Sequence, residues 1–107
     1  MFYFMSKNLG RKINISHFHY FLYTGDSLQY HNLQAFSTID RDNDSGSGHC
    51  ANSRRGAWWY RSCDNSSLNA PYSYADEAPS YKGVYWQHWK GGKYSLKQTG
   101  MKIRRKR

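Results

Sequence analysis

Apolar and polar residues divide the chain into three stretches. From position 1 to about 20, apolar and aromatic residues come first and basic ones follow, with no clear period of either 2 or 3.6. No element is assigned there. From about 21 to 83 the chain is dense in Gly, Ser, Asn and Asp, broken by short aromatic islands such as "GAWWY". That composition predicts turns and loops rather than long regular elements. From Gly83 to Ile103 apolar and polar residues alternate, in "VYWQHW" and then "YSLKQTGMKI". The alternation predicts short strands with Val84, Trp86, Tyr94, Leu96, Met101 and Ile103 toward a core, and "KGGK" between them predicts a hairpin turn. Trp86 and Trp89, three apart in such a strand, would face opposite sides, so only one need be buried. No internal repeat and no heptad pattern is present.

Composition sharpens this picture. The 107 residues allow one small domain. Only 38% are apolar while 18% are aromatic, with ten Tyr and four Trp. Leu, Ile and Val are few, so the core must be aromatic. Such side chains bury large areas and still hydrogen-bond at their tips, which suits a loop-rich fold. A domain this small gains much from a staple such as a disulfide or a metal. Trp58, Trp59 and Tyr60 are either core or a stacking platform, and packing beside a cysteine favours core.

The net charge is +9, and eight of the 16 Lys and Arg lie between Lys90 and Arg107. The tail 102–107 is either a solvated terminus or a contact for polyanions. No run of about 20 apolar residues exists to span a membrane. The opening "MFYFMSKNLGRK" does not make a signal peptide, because its apolar residues precede the charges and no small-residue cleavage site follows. No Ser, His and acid combination sits at a recognisable catalytic spacing, so an enzyme is not expected.

Three of the seven acidic side chains crowd into "DRDNDSGSGHC". Carboxylates at alternate positions repel unless they point into water or share a cation. Both readings fit: an Asx-rich surface turn, or a site for a hard divalent ion such as Ca2+, which takes several oxygens from carboxylates and backbone carbonyls. The helix-loop-helix calcium motif does not fit, since Ser45 takes its sixth place and Ala51 its twelfth. Cys50 and Cys63, with one His nearby, are too few for structural zinc. A bond between them would close a loop of about 14 residues, contribute about 3 kcal/mol and imply an oxidising compartment. A catalytic Cys–His pairing is the other option, though neither cysteine has the flanking context of a nucleophile. Asn14-Ile15-Ser16 and Asn65-Ser66-Ser67 are glycosylation triplets consistent with that compartment.

In order along the chain run "GDSLQYHNLQAFSTIDRDND", "HCA", "GAWWYRSC", "SSLNAPY" and "GVYWQHWKGGKYSLKQTGMKIR". This joint pattern closely resembles the C-terminal part of a fibrinogen-related domain, as in ficolins, tachylectins, tenascins, angiopoietins and fibrinogen. The resemblance covers about residues 21–105. It implies an α+β, loop-rich fold with a few short antiparallel strands, a partial fibrinogen C-terminal domain over 21–107. Residues 1–20 are then an unassigned leader, and the complete domain would be about twice as long. The resemblance further implies a Ca2+ site formed by the side chains of Asp42 and Asp44 and the carbonyls of Gly46 and Gly48. Asp40 would support the loop without necessarily touching the ion. It pairs Cys50 with Cys63 and, as in members that bind acetylated sugars, implies a cis bond at Ser62–Cys63.

In sugar-binding members, backbone N–H groups beside that bond donate to an acetyl carbonyl. The matching ligand positions here are Ser62, Cys63, Asp64, Ser80 and Tyr81. Three departures stand out. Asp64 replaces a frequent His, Ser80 and Tyr81 replace Tyr then Ala (unless "YSYAD" at 72–76 is that pair displaced), and an upstream pocket aromatic is replaced near Arg54. The expectation is a secreted, non-catalytic, calcium-ordered recognition module. Its ligands would be acetylated glycans in innate immunity or, as the alternative, protein partners of matrix or receptor-ligand type. Clustering of several heads is expected in the full-length protein.

Overall fold

The computed structural model describes residues 2–5, 15–19, 25–73 and 81–101. Ser80, Ile103, most of "YSYAD" and the basic tail 102–107 therefore lie outside the described residues. The fold is loop-rich, as the composition predicts, and α+β, as the resemblance implies. In order come β1 (Phe2–Met5), β2 (Ile15–His19), a 3-10 turn (Gln29–His31), α1 (Cys50–Arg54), β3 (Ser66–Ser67), β4 (Tyr85–Trp86) and α2 (Gln87–Lys90). Strands β1 and β2 form one antiparallel pair, from Phe2 opposite His19 to Met5 opposite Ile15, with an irregularity after Phe4. No element is legible there from periodicity, because an aromatic-rich pair of short strands has no alternation to display. Strands β3 and β4 form the second pair, Ser66 opposite Trp86 and Ser67 opposite Tyr85.

The core lies under β3 and β4. Trp58, Tyr60, Tyr85 and Trp86 are buried with Leu28, Val84 and Leu96. Each large apolar side chain taken from water contributes about 2 kcal/mol, so the four aromatics outweigh the three aliphatics. Several aromatic tips find backbone partners, while the buried Trp58 Nε1 has none among the described residues. Tyr60 donates to the Gly56 carbonyl at 2.6 Å, Trp86 Nε1 to the Gly25 carbonyl at 3.0 Å, and Tyr30 to the Ser62 carbonyl at 3.0 Å.

Small polar residues supply what long strands would have supplied. Buried backbone groups need partners. Ser95 Oγ accepts from the amides of Ser73 and Val84, both at 3.1 Å. Ser37 Oγ accepts from Asn43 N at 2.9 Å, and Ser66 Oγ donates to the Ser27 carbonyl at 2.8 Å. All four of Ser27, Ser37, Ser66 and Ser95 are fully buried.

The alternation after Gly83 is only partly realised as strand. The ladder stops at Trp86, after Gln87 N donates to the Asn65 carbonyl, and the chain turns into α2. Gly91, at φ +75°, ends that helix, a conformation that costs glycine nothing. "KGGK" therefore terminates a helix instead of joining two strands. Trp86 is buried and Trp89 is 45% exposed, separated by the helical turn and not by a strand's pleat. Leu96 still reaches the core, held by its amide to the Val84 carbonyl at 2.6 Å, and Tyr94 and Met101 pack against its edge.

Candidate functional site

The acidic loop is built on side-chain-to-backbone bonds. Asp44 Oδ1 accepts from Gly46 N and Oδ2 from Cys50 N, both at 2.9 Å. Asp42 Oδ1 accepts from Asp44 N at 3.1 Å. The carboxylates of Asp42 and Asp44 and a ring nitrogen of His49 lie within 4.8 Å of one another. Burial and the neighbouring Asp42 push the Asp44 carboxyl up, while bonds from Asp44 hold the exposed Asp42 carboxyl down. Asp40 stands apart: it accepts from Thr38 Oγ1 at 2.6 Å and thereby closes the Thr38–Arg41 turn.

This donor set fits a hard cation. Two carboxylates gathered at one point, with glycine carbonyls following, are what Ca2+ takes. His49 is committed elsewhere. Its Nε2 donates to the Ile39 carbonyl at 2.9 Å and its Nδ1 accepts from Asn52 N, capping α1. The imidazole thus serves the backbone. Gly46 is packed tightly, since a Cβ there would lie 3.2 Å from Ser62 Oγ, while Gly48 faces open space.

The loop is joined to the segment around Cys63 in two ways. Ser45 N donates to the Arg61 carbonyl at 3.0 Å. Asp44 holds the amide of Cys50, and Cys50 is bonded to Cys63 with Cα atoms 5.6 Å apart. The Ser62–Cys63 peptide bond is cis.

Beyond the disulfide the structure brings Asp64 and Tyr81 together, through two residues that were not singled out as ligands. Arg54 Nε bonds Asp64 Oδ1 at 3.1 Å, and the Asp64 side chain is fully buried. Tyr85 donates its hydroxyl to the same Oδ1 at 2.6 Å. Burial pushes the Asp64 carboxyl up even though Tyr85 and Arg54 oppose it, and Asp64 Oδ2 has no partner. The Arg54 guanidinium lies 5.8 Å from the centre of the Tyr81 ring, and Tyr81 meets Tyr85 edge to face at 5.6 Å. Ser62 is not in this cluster. It is exposed, beside the acidic loop, with its carbonyl held by Tyr30. Cys63 lies between the two groups, half-buried. The signal for Arg54 was present: it stands four residues after Cys50, and Asp64 one after Cys63. Opposite charges flanking a crosslink are brought face to face by it.

His31 carries no motif, yet it fastens this region. It is fully buried. Its Nδ1 donates to the Trp59 carbonyl at 2.7 Å, and its Nε2 accepts from Asn65 N at 3.1 Å. Only the neutral ring can do both. Burial pushes its pKa down to about 4. A Ser–His contact also exists, between Ser27 Oγ and His88 Nδ1 at 2.7 Å, but Ser27 is fully buried and ties α2 to the segment before the 3-10 turn. On another side, Phe36, Trp58, Trp59, Leu68 and Met101 help line a cavity of about 460 Å³.

Residues 2–106 match the C-terminal globular domain of the fibrinogen beta and gamma chains, and the chain belongs to that family. Human angiopoietin-related protein 6 is 49% identical over 82 residues, covering 75% of this chain and 17% of that protein. Human tenascin-R is 46% identical over 80 residues, covering 75% of this chain and 6% of that protein. The solved fibrinogen-like globe domain of human ANGPTL6 superposes with a TM-score of 0.72 at 44% identity, covering 79% of this chain and 38% of that one. The chain thus spans well under half the length of each of these relatives.

Proposed function

We propose that this chain is an extracellular, non-catalytic recognition module, ordered by calcium, whose partner is a protein surface and not an acetylated sugar. The observation that carries this reading is the Arg54–Asp64 ion pair. An acetyl methyl needs an apolar wall with a few polar anchors. Two of the three positions at which this sequence departs from the sugar-binding members are joined here into a charged, hydrogen-bonded pair. Similarity to angiopoietin-related protein 6 and tenascin-R supports the same choice, as does the disulfide, which belongs to an oxidising compartment. Among the described residues no helix is long and apolar enough to cross a membrane.

Asp42 and Asp44, with the carbonyls of Gly46 and Gly48, would hold the ion. Bound calcium would neutralise the crowded carboxylates and stiffen the loop against Ser62. Tyr81, Ser62 and Cys63 then belong to the recognition face. Purified chain tested against immobilised secreted and cell-surface ectodomains, and in parallel against N-acetylated glycans, separates the readings. Saturable ectodomain binding that EDTA weakens is expected. EDTA-sensitive binding to N-acetylglucosamine with no ectodomain bound would overturn the proposal.

A further inference from the structure

The face around Gly91 and Gly92 carries aromatic rings and cations together. Tyr81 N donates to the Gly92 carbonyl at 2.8 Å, and the Tyr81 ring lies so close to Gly92 that a Cβ there would collide with it. On one side of this contact sits the Arg54 guanidinium, 5.8 Å from the Tyr81 ring centre. On the other, Lys90 Nζ lies 5.4 Å from the ring centres of both Trp89 and Tyr94. Lys82 and Lys93, both exposed, flank Tyr81 and Gly92 in sequence. Tyr81 is 42% and Trp89 45% exposed. The one ion pair among the described residues uses Arg54 Nε, so Lys82, Lys90 and Lys93 face no carboxylate there, and the terminal nitrogens of Arg54 donate to no described residue.

Resting on the reading as a protein-recognition module, we propose that this face docks an acidic protein segment, with a partner Asp or Glu carboxylate received by the Arg54 fork and the lysines. Three features favour that occupant. Exposed Trp and Tyr beside Arg is the composition of interface hot spots. The Arg54 guanidinium, bonded through Nε to Asp64 and lying near the Tyr81 ring, is partly exposed and keeps two terminal nitrogens, a fork that suits a planar carboxylate. The surrounding lysines supply charge complementarity, which steers encounter and selects against basic partners.

Fluorescence anisotropy with a fluorescein-labelled hexaglutamate peptide, a hexalysine peptide and a heparin hexasaccharide, on the intact calcium-loaded chain, tests this. Hexaglutamate is expected to bind saturably and hexalysine not at all. Lys82→Glu combined with Lys93→Glu should weaken hexaglutamate binding about tenfold or more. Because Arg54→Ala would strand the buried Asp64, Arg54→Lys is used instead. It keeps the charge, loses the fork and should still weaken binding, with near-UV circular dichroism unchanged. No hexaglutamate binding, or binding indifferent to all these changes, overturns the proposal. Heparin binding lost in the double variant without any hexaglutamate binding assigns the face to a sulfated glycan and also overturns it. If ectodomain binding persists unchanged in the double variant, this docking face falls while the protein-recognition reading stands. If hexaglutamate binds as expected and no ectodomain does, it is that reading which fails.

Discussion

Single residues do unequal work in this chain, and His31 shows how the balance is set. Its ring is useful only when neutral, because Nε2 must accept from Asn65 while Nδ1 donates to Trp59. Burial holds its pKa at about 4, with nearby Arg61 adding to the depression. A depressed folded-state pKa means that the unfolded chain takes up a proton first as pH falls. The contribution of His31 is therefore complete above pH 6.5 and is lost as pH falls from 6.5 through about 4. That shift corresponds to about 3 kcal/mol. Urea unfolding of the wild type and His31→Gln across this range should show the difference between them narrowing by about that amount toward pH 4. A difference independent of pH would refute the assignment. At Asp64 the opposite direction holds: burial raises its carboxyl, and the ion pair with Arg54 opposes that only in part.

At the scale of elements, the acidic loop and α1 act as one unit. Asp42 and Asp44 look equivalent in sequence and are not equivalent in structure. Asp44 accepts from two amides and thereby fixes the start of α1, whereas Asp42 is exposed and accepts only from Asp44 N. Asp44→Ala should therefore destabilise the chain by about 1–3 kcal/mol even in EDTA, because it leaves Cys50 N without its acceptor. Asp42→Ala should leave the EDTA-treated protein nearly unchanged and remove only the rise in Tm that the proposed calcium site is expected to give. Thermal unfolding of both variants with and without calcium checks the pair. Equal losses in EDTA would contradict the geometry. Element α2 was not expected. The sequence "VYWQHWK" alternates like a strand, yet the last ladder bond is made at Gln87, and Gly91 closes a helical turn. Alternation fixes which side chains can share a face. It does not fix how long a neighbouring strand remains available for pairing.

For the whole molecule, stability rests on few long elements and many cross-links. Among the described residues, two short strand pairs and two one-turn helices cannot satisfy the backbone, so serines, tyrosine tips and His31 supply further partners. The Cys50–Cys63 bond closes the segment that carries α1, Trp58 and Tyr60. Its reduction should cost about 3 kcal/mol, a large part of what a domain this small possesses. Denaturant unfolding with and without reductant should show that loss. Thermal unfolding with and without reductant should also show the rise in Tm expected from calcium shrinking, since Cys50 links the acidic loop to Cys63. A calcium response unaffected by reduction would separate the loop from the crosslink and count against one shared framework.

The sequence by itself determined the materials: an aromatic core, turn-rich connections, crowded carboxylates and two cysteines within a short chain. Those follow from composition and local spacing, because burial area, backbone freedom and charge repulsion are properties of the residues themselves. Only the tertiary structure decided that Arg54 meets Asp64, that His31 bridges Trp59 and Asn65, that Tyr81 lies against Gly92, and that the strand ends at Trp86. Each depends on segments distant along the chain arriving at one place. No local pattern encodes that arrival; packing and the crosslink fix it together.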